Sequence, residues 1–142
     1  SRRPREILVD SIGVGSGVVD RLQELELPVR GVNVAEAPSM GETYLNLRSE
    51  LWFKTKGWLE DRSCKLPNSD QLIAELTSIR YSFTSSGKMK AESKDEMRKR
   101  GLQSPDLADA LCLTMASDAA TALSGKFNIW RGEIRRNLRG IA

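Results

Sequence analysis

Three aspartates in this chain stand where a sequence can gather carboxylates. Asp10 closes the apolar run Ile7-Leu8-Val9 and precedes the glycine-rich GVGSG of residues 13–17. Asp106 and Asp109 sit in SPDLADAL, residues 104–111, and a spacing of three puts both on one face of a helix. The C-terminal end of a parallel strand is where open α/β sheets bind ligands. Paired carboxylates at a helix start can chelate a hard cation such as magnesium or manganese, which prefers oxygen. Each aspartate also has a plainer account. Asp10 can be only the polar end of a buried strand. Asp106 follows Ser104, suited to an N-cap, and Pro105, suited to the first helical position, and its charge suits the positive helix end. Asp109 has no such account. It lies between Ala108 and Ala110, small residues that allow close approach, while Leu107 and Leu111 mark the buried side.

Composition narrows the chemistry. The chain of 142 residues has no histidine, which excludes Ser-His-Asp and Cys-His sites within it and disfavours zinc. Acid–base or metal chemistry here falls to carboxylates, lysines or tyrosines. With 39% hydrophobic and 29% charged residues, it reads as a globular domain with a real core. No apolar stretch approaches the roughly 20 residues needed to span a bilayer. The opening SRRPREILVD is basic but lacks the apolar region of a secretory signal. Cys64 and Cys112 lack CxxC spacing and read as free thiols of a reducing compartment. A net charge of +3 permits an anionic partner without demanding one.

The elements that must position these residues follow from periodicity. Residues 5–10 read as a strand, 13–17 as a loop, and 18–27 as a helix with Val18, Leu22 and Leu25 on one face. Pro28 stops that helix, and 29–34 is a second strand, parallel to the first by a right-handed crossover. The pattern predicts a helix over 43–56, burying Leu47, Leu51 and Trp52 and ended by Gly57. A further helix is expected over 70–78, on which Glu75 can face the acidic cluster or, in the plainer account, lie on the solvent side. SSGK is a turn between strands 81–84 and 88–91, whose Tyr81 and Phe83 read as core residues. A short charged helix follows over 94–100, and a long one over 105–123.

GVGSG after a strand invites a nucleotide reading, but the dinucleotide fingerprint GxGxxG needs glycine where Val18 stands. Asn33 and Glu36 lie near the place of the acidic ribose partner. The P-loop pattern is absent. A tight strand-to-helix turn, a phosphate contact and a nucleotide cofactor all remain open for this loop.

Taken in order, ILVDSIGVGSGVVDRLQE, GVNVAEAP, YLNLRSELWF, LIAELTSIRYSF and KMKAESKDEMRKRGLQSPDLADALCLT resemble the C-terminal nuclease domain of the large terminase subunit of tailed bacteriophages and prophages. The resemblance covers roughly residues 5–116. It implies an α/β, ribonuclease H-like mixed sheet flanked by helices, cutting concatemeric DNA with two divalent ions, magnesium or manganese. It implies catalytic and metal-ligating roles for Asp10, Asp106 and Asp109. It also implies double-stranded DNA, a packaging ATPase domain, the portal and the small terminase subunit as partners, in the cytoplasm of the bacterial host, with no membrane. The family carries a further aspartate on an earlier strand, and no such strand precedes Arg5. The expected domain is therefore truncated at its N-terminus, spanning 1–124 with a basic tail over 125–142. A sheet lacking those strands would leave an unpaired edge.

Residues 88–100 hold Lys88, Lys90, Lys94, Arg98, Lys99 and Arg100 against Glu92, Asp95 and Glu96, a net of +3. Beside a hairpin and just before the acidic helix, this run is the expected contact with DNA phosphates. Two alternatives to a nuclease stay in view: an inactive DNA-binding or docking remnant, and a nucleotide-binding α/β module.

Overall fold

The apolar tetrapeptide Ile7–Asp10 forms β1, and the chain returns through helix α1 (Gly15–Glu24) to β2 (Val29–Val32). The two strands are parallel, with Ile7 opposite Val29 and Asp10 opposite Val32. The computed structural model describes residues 3–62 and 64–117. Helix α1 starts three residues earlier than the periodicity predicts, because GSG enters the helix rather than the loop. Gly13 alone supplies the positive φ, +65°, that the turn requires. Gly15 is fixed by close approach: a Cβ there would lie 1.7 Å from the Asp10 carbonyl oxygen. The glycine loop thus has a complete account as a strand-to-helix turn that brings α1 against the end of β1. The face expected to be buried is only partly so: Leu22 is half-buried. Val18 and Leu25 are exposed, and the helix buries Gly15 and Val19 instead.

Helix α2 runs Leu47–Glu60, four residues later than predicted at each end. Thr43 and Leu45 are occupied elsewhere: Met89 N donates to the Thr43 carbonyl at 2.8 Å, and Leu45 N donates to the Met89 carbonyl at 3.0 Å. Asn46 then caps the helix by accepting from Ser49 N at 2.9 Å. Gly57 lies inside the helix with open space around it. Helix α3 (Asp70–Ser78) matches its predicted bounds and is capped by Ser69. Strands β3 (Tyr81–Phe83) and β4 (Met89–Ala91) pair antiparallel. Helix α4 (Lys94–Lys99) opens on a reciprocal capping box between Ser93 and Glu96. Helix α5 (Asp106–Leu113) is followed by a 3₁₀ turn, Thr114–Ala116. The single helix expected over 105–123 is therefore broken, because extended Ser117 (ψ 136°) closes the 3₁₀ turn; residues 118–123 and the tail 125–142 lie outside the described residues.

Both parallel and antiparallel pairing are present, as a mixed sheet requires. Among the described residues, however, they form separate two-stranded sheets. The Tyr44 segment takes the β4 edge through its bridge to Met89, so the hairpin does not join β1 and β2. Helices α2, α3 and α5 pack together against these strands. Val32, Leu51, Trp52, Leu72, Ala91, Ala108, Cys112 and Leu113 form the core between them. Tyr81 and Phe83, expected inside, are 60% and 50% exposed. They belong instead to an outer row in which Tyr44, Phe53, Tyr81 and Phe83 meet in succession at centroid distances of 5.4–6.0 Å. No helix among the described residues is long and apolar enough to cross a membrane.

Candidate functional site

A cleft of about 620 Å³ opens where β1, α2, α4 and α5 come together. Asp10, Asp106 and Asp109 all line it, with Arg48, Trp52 and Lys94. The structure thus brings one carboxylate from a strand end and two from a helix start to a common wall. Among the described residues they do not close into a cluster of three chelating side chains.

The three aspartates are held differently. Asp10 caps its own turn: Ile12 N donates to its Oδ1 at 3.1 Å. Asp106 is largely exposed. Ser104 Oγ donates to its Oδ1 at 2.6 Å, and the Lys94 ammonium lies 3.9 Å away. The expected Ser104 cap is therefore displaced. Ser104 spends its hydroxyl on a side chain, Pro105 takes the N-cap position, and no side chain of that segment caps the helix. The cap comes from another helix. Glu75 Oε2 accepts from Ala108 N at 2.9 Å, while Gln71 Nε2 donates to Oε1 at 2.9 Å. Glu75, expected on the solvent side, is thus the residue that fixes the start of α5.

Asp109 is the most enclosed of the three. Its Oδ1 accepts from Arg48 Nη2 at 3.0 Å and from Trp52 Nε1 at 2.9 Å. Its Oδ2 is buried and receives no hydrogen bond, with Lys94 Nζ 3.2 Å away as an ion partner. Arg48 is itself anchored, donating through Nη1 to the Glu92 carbonyl at 2.5 Å. Of the two small residues flanking it, Ala108 is fully buried and allows close packing, while Ala110 is exposed. The buried side of α5 is nevertheless Ala108, Cys112 and Leu113, and Leu107 is 42% exposed. Burial, with the Asp109 charge adding to it, pushes the Cys112 thiol up to about 12 despite the Thr55 hydrogen bond. A thiol so disposed is a core group and no nucleophile.

The basic segment divides. Lys90 pairs with Glu96 at 2.6 Å, and Arg98 pairs with Asp95. Arg100 grips buried Glu92 through Nε and Nη2, both at 2.6 Å, and also donates to the Ser78 carbonyl at 2.9 Å. Lys94 turns to the acidic wall. Neither Lys88 nor Lys99 makes an ion pair among the described residues. Arg48, Trp52 and Glu75 are the site residues that sequence reasoning passed over or read otherwise. The i, i+4 spacing of Arg48 and Trp52 put them on one helix face, but nothing in the sequence said that Asp109 would meet that face.

No family model matches the chain, and no curated protein matches it. Solved structures do. The nuclease domain of the large terminase subunit gp2 of bacterial virus Sf6, a lysine-to-alanine variant with manganese and β-thujaplicinol, superposes with a TM-score of 0.67 at 23% identity, over 79% of this chain and 65% of that one. The calcium form of that variant gives 0.66 at 23% identity, over 79% and 65%. The nuclease domain without the change gives 0.60 at 23% identity, over the same shares. The match therefore spans just under two thirds of those domains. It shows that this chain shares the fold of those domains.

Proposed function

We propose that the chain is the nuclease part of a phage-type DNA-packaging terminase large subunit, a metal-dependent endonuclease acting on double-stranded DNA. The observation that carries this reading is the cleft that Asp10, Asp106 and Asp109 line together, on that fold, with Asp109 Oδ2 buried, accepting no hydrogen bond and 3.2 Å from the Lys94 ammonium. Buried polar atoms are nearly always satisfied, and a buried carboxylate oxygen whose partner is a lysine ammonium at the cleft can exchange that partner for a hard cation. The donor set fits magnesium or manganese: Asp10 and Asp109 would hold the ion, with Asp106 at the rim. Bound there, such ions supply an activated water and charge stabilisation for phosphodiester hydrolysis.

The chain's own residues prepare that chemistry. Glu75 and the α5 start fix the height of Asp109. Gly15 allows α1 to close on the end of β1, which sets Asp10. Lys94 keeps a positive charge beside Asp109 and Asp106. Within residues 88–100, Lys88 and Lys99 are the cations with no ion pair among the described residues and so can meet phosphates, and contacts of that kind carry no base sequence. The packaging ATPase domain, portal and small terminase subunit, and action in the host cytoplasm, follow as parts of the same proposal. The second reading, an inactive DNA-binding remnant, draws on the absence of a three-carboxylate cluster among the described residues.

The test is a thermal melt with and without Mn²⁺, run beside a plasmid-nicking assay. Ligand at about 100 times its Kd stabilises a fold by about 2.7 kcal/mol, several degrees for a chain of this size. Mn²⁺ is expected to raise the wild-type melting temperature. Asp10→Asn and Asp109→Asn should each remove most of that rise and any nicking. A rise that survives both substitutions places the metal elsewhere and overturns the assignment. A rise without nicking selects the inactive remnant.

A further inference from the structure

We infer that Arg48 and Trp52 are positioning residues of this cleft: two donors one turn apart on α2 hold Oδ1 of Asp109 and so turn its Oδ2 toward the cation site. The inference rests on the metal-dependent reading above.

A carboxylate on a short side chain can rotate and exchange its two oxygens. Here that exchange is blocked on one side. Arg48 Nη2 and Trp52 Nε1 both donate to Oδ1, at 3.0 and 2.9 Å, while Oδ2 is buried, accepts no hydrogen bond and has only the flexible Lys94 ammonium beside it, 3.2 Å away, where a metal ion would take its place. Neither donor is free to follow a rotating carboxylate. Trp52 is 7% exposed and belongs to the core cluster. Arg48 stacks over the Trp52 ring with its guanidinium carbon 5.6 Å from the centroid, and its other arm is tied to the Glu92 carbonyl. The backbone behind Asp109 is pinned at the adjacent residue by Glu75. The arrangement is that of a ligand held from behind, in which outer partners of a metal-binding group fix its orientation. It also accounts for tryptophan at position 52. Phenylalanine would fill most of the same core volume, but only the indole brings a neutral N–H donor that adds no charge beside a cation.

The test follows the indole itself. In the ¹⁵N-labelled 142-residue chain, the resonances of Trp58 and Trp130 are identified by Trp58→Phe and Trp130→Phe, leaving Trp52 intact. Mn²⁺ affinity is measured by calorimetry, and Mg²⁺ is titrated by NMR. The Trp52 indole N–H is expected to shift with saturating Mg²⁺, and Asp109→Asn should abolish that response. Trp52→Phe, folded by circular dichroism, should bind Mn²⁺ about tenfold more weakly. Should that variant fail to fold, the indole titration of the unaltered chain decides the matter. A chain that binds metal while its Trp52 indole stays unmoved overturns the inference and leaves the metal reading standing. A wild-type chain that binds neither ion sinks both.

Discussion

Asp10 is made usable by a glycine. The strand end, the turn and the first residue of α1 share one small volume, and Gly15 is the residue that permits it. A Cβ at that position would meet the Asp10 carbonyl oxygen at 1.7 Å, a distance that side chains do not tolerate, and the obstacle is backbone that cannot swing aside. Gly15→Ala is therefore expected to force β1 and α1 apart, at a cost of at least about 2 kcal/mol, as overpacking against backbone requires. Urea denaturation measures it, and a change within about 0.5 kcal/mol would contradict the close approach. Gly17 and Gly41 have open space around them and provide the contrast: alanine at helical Gly17 should stabilise slightly, since alanine is the better helix former. The GxGxG motif thus splits into one glycine required by φ, one required by proximity and one required by neither.

At the scale of elements, α2 organises the site, and a buried carboxylate in its first turn shapes the approach to it. Glu50 is fully buried. Its oxygens accept from Ser39 N at 2.6 Å, Ser39 Oγ at 2.5 Å and Lys54 Nζ at 2.6 Å, tying loop 35–42 to the helix that carries Arg48 and Trp52. Burial pushes its pKa up, but the hydrogen bonds from Lys54, Ser39 and Met40, with the Lys54 charge, outweigh that and hold it below the ordinary carboxylate value. A group depressed in the folded state contributes stability that is full above its unfolded pKa of about 4.3 and fades as pH falls through the folded value. Glu50→Gln should accordingly cost about 3 kcal/mol at pH 7, as breaking a buried pair does. The gap between variant and wild type should close as pH drops below about 4. Melts across pH 7 to 2.5 check this, and a gap independent of pH would refute it. None of this was legible in YLNLRSELWF. Strand order, the parallel pairing of β1 with β2 and the bounds of α3 were legible, because apolar periodicity, Pro28 and the Ser69 cap act locally. The register of α2 was not, since it depends on the long-range bridge between Tyr44 and Met89. The caps and donors that serve α5 were not either, because Glu75, Arg48 and Trp52 reach it across 33, 61 and 57 residues of chain.

At the scale of the whole molecule, the question is which cations are free to meet a polyanion. The sequence offers six in residues 88–100 as one basic run, but the fold assigns them different work. Arg100 closes a buried pair with Glu92, which also accepts from Arg80 N at 3.1 Å, and so clamps the hairpin to the end of α4. The hydrogen bonds from Arg100 hold the Glu92 carboxyl below its ordinary pKa. Lys90 and Arg98 balance acids of the same segment, and Lys94 serves the aspartates. Lys88 and Lys99 remain in this run, and they are expected to carry its share of the electrostatic part of DNA binding. Each phosphate contact contributes about 0.9 to the slope of log K against log salt, so Lys88→Gln with Lys99→Gln should flatten that slope by about 2 while leaving the melting temperature in place. Arg100→Ala should do the opposite. It strands a buried carboxylate, lowering the melting temperature, and leaves the salt slope of the protein that stays folded nearly unchanged. Fluorescence anisotropy with a labelled duplex from 50 to 300 mM salt, paired with thermal melts, separates the two. If Arg100→Ala flattened the slope and spared stability, the clamp would be a DNA contact after all, and the division of the basic run drawn from its ion pairs would be wrong.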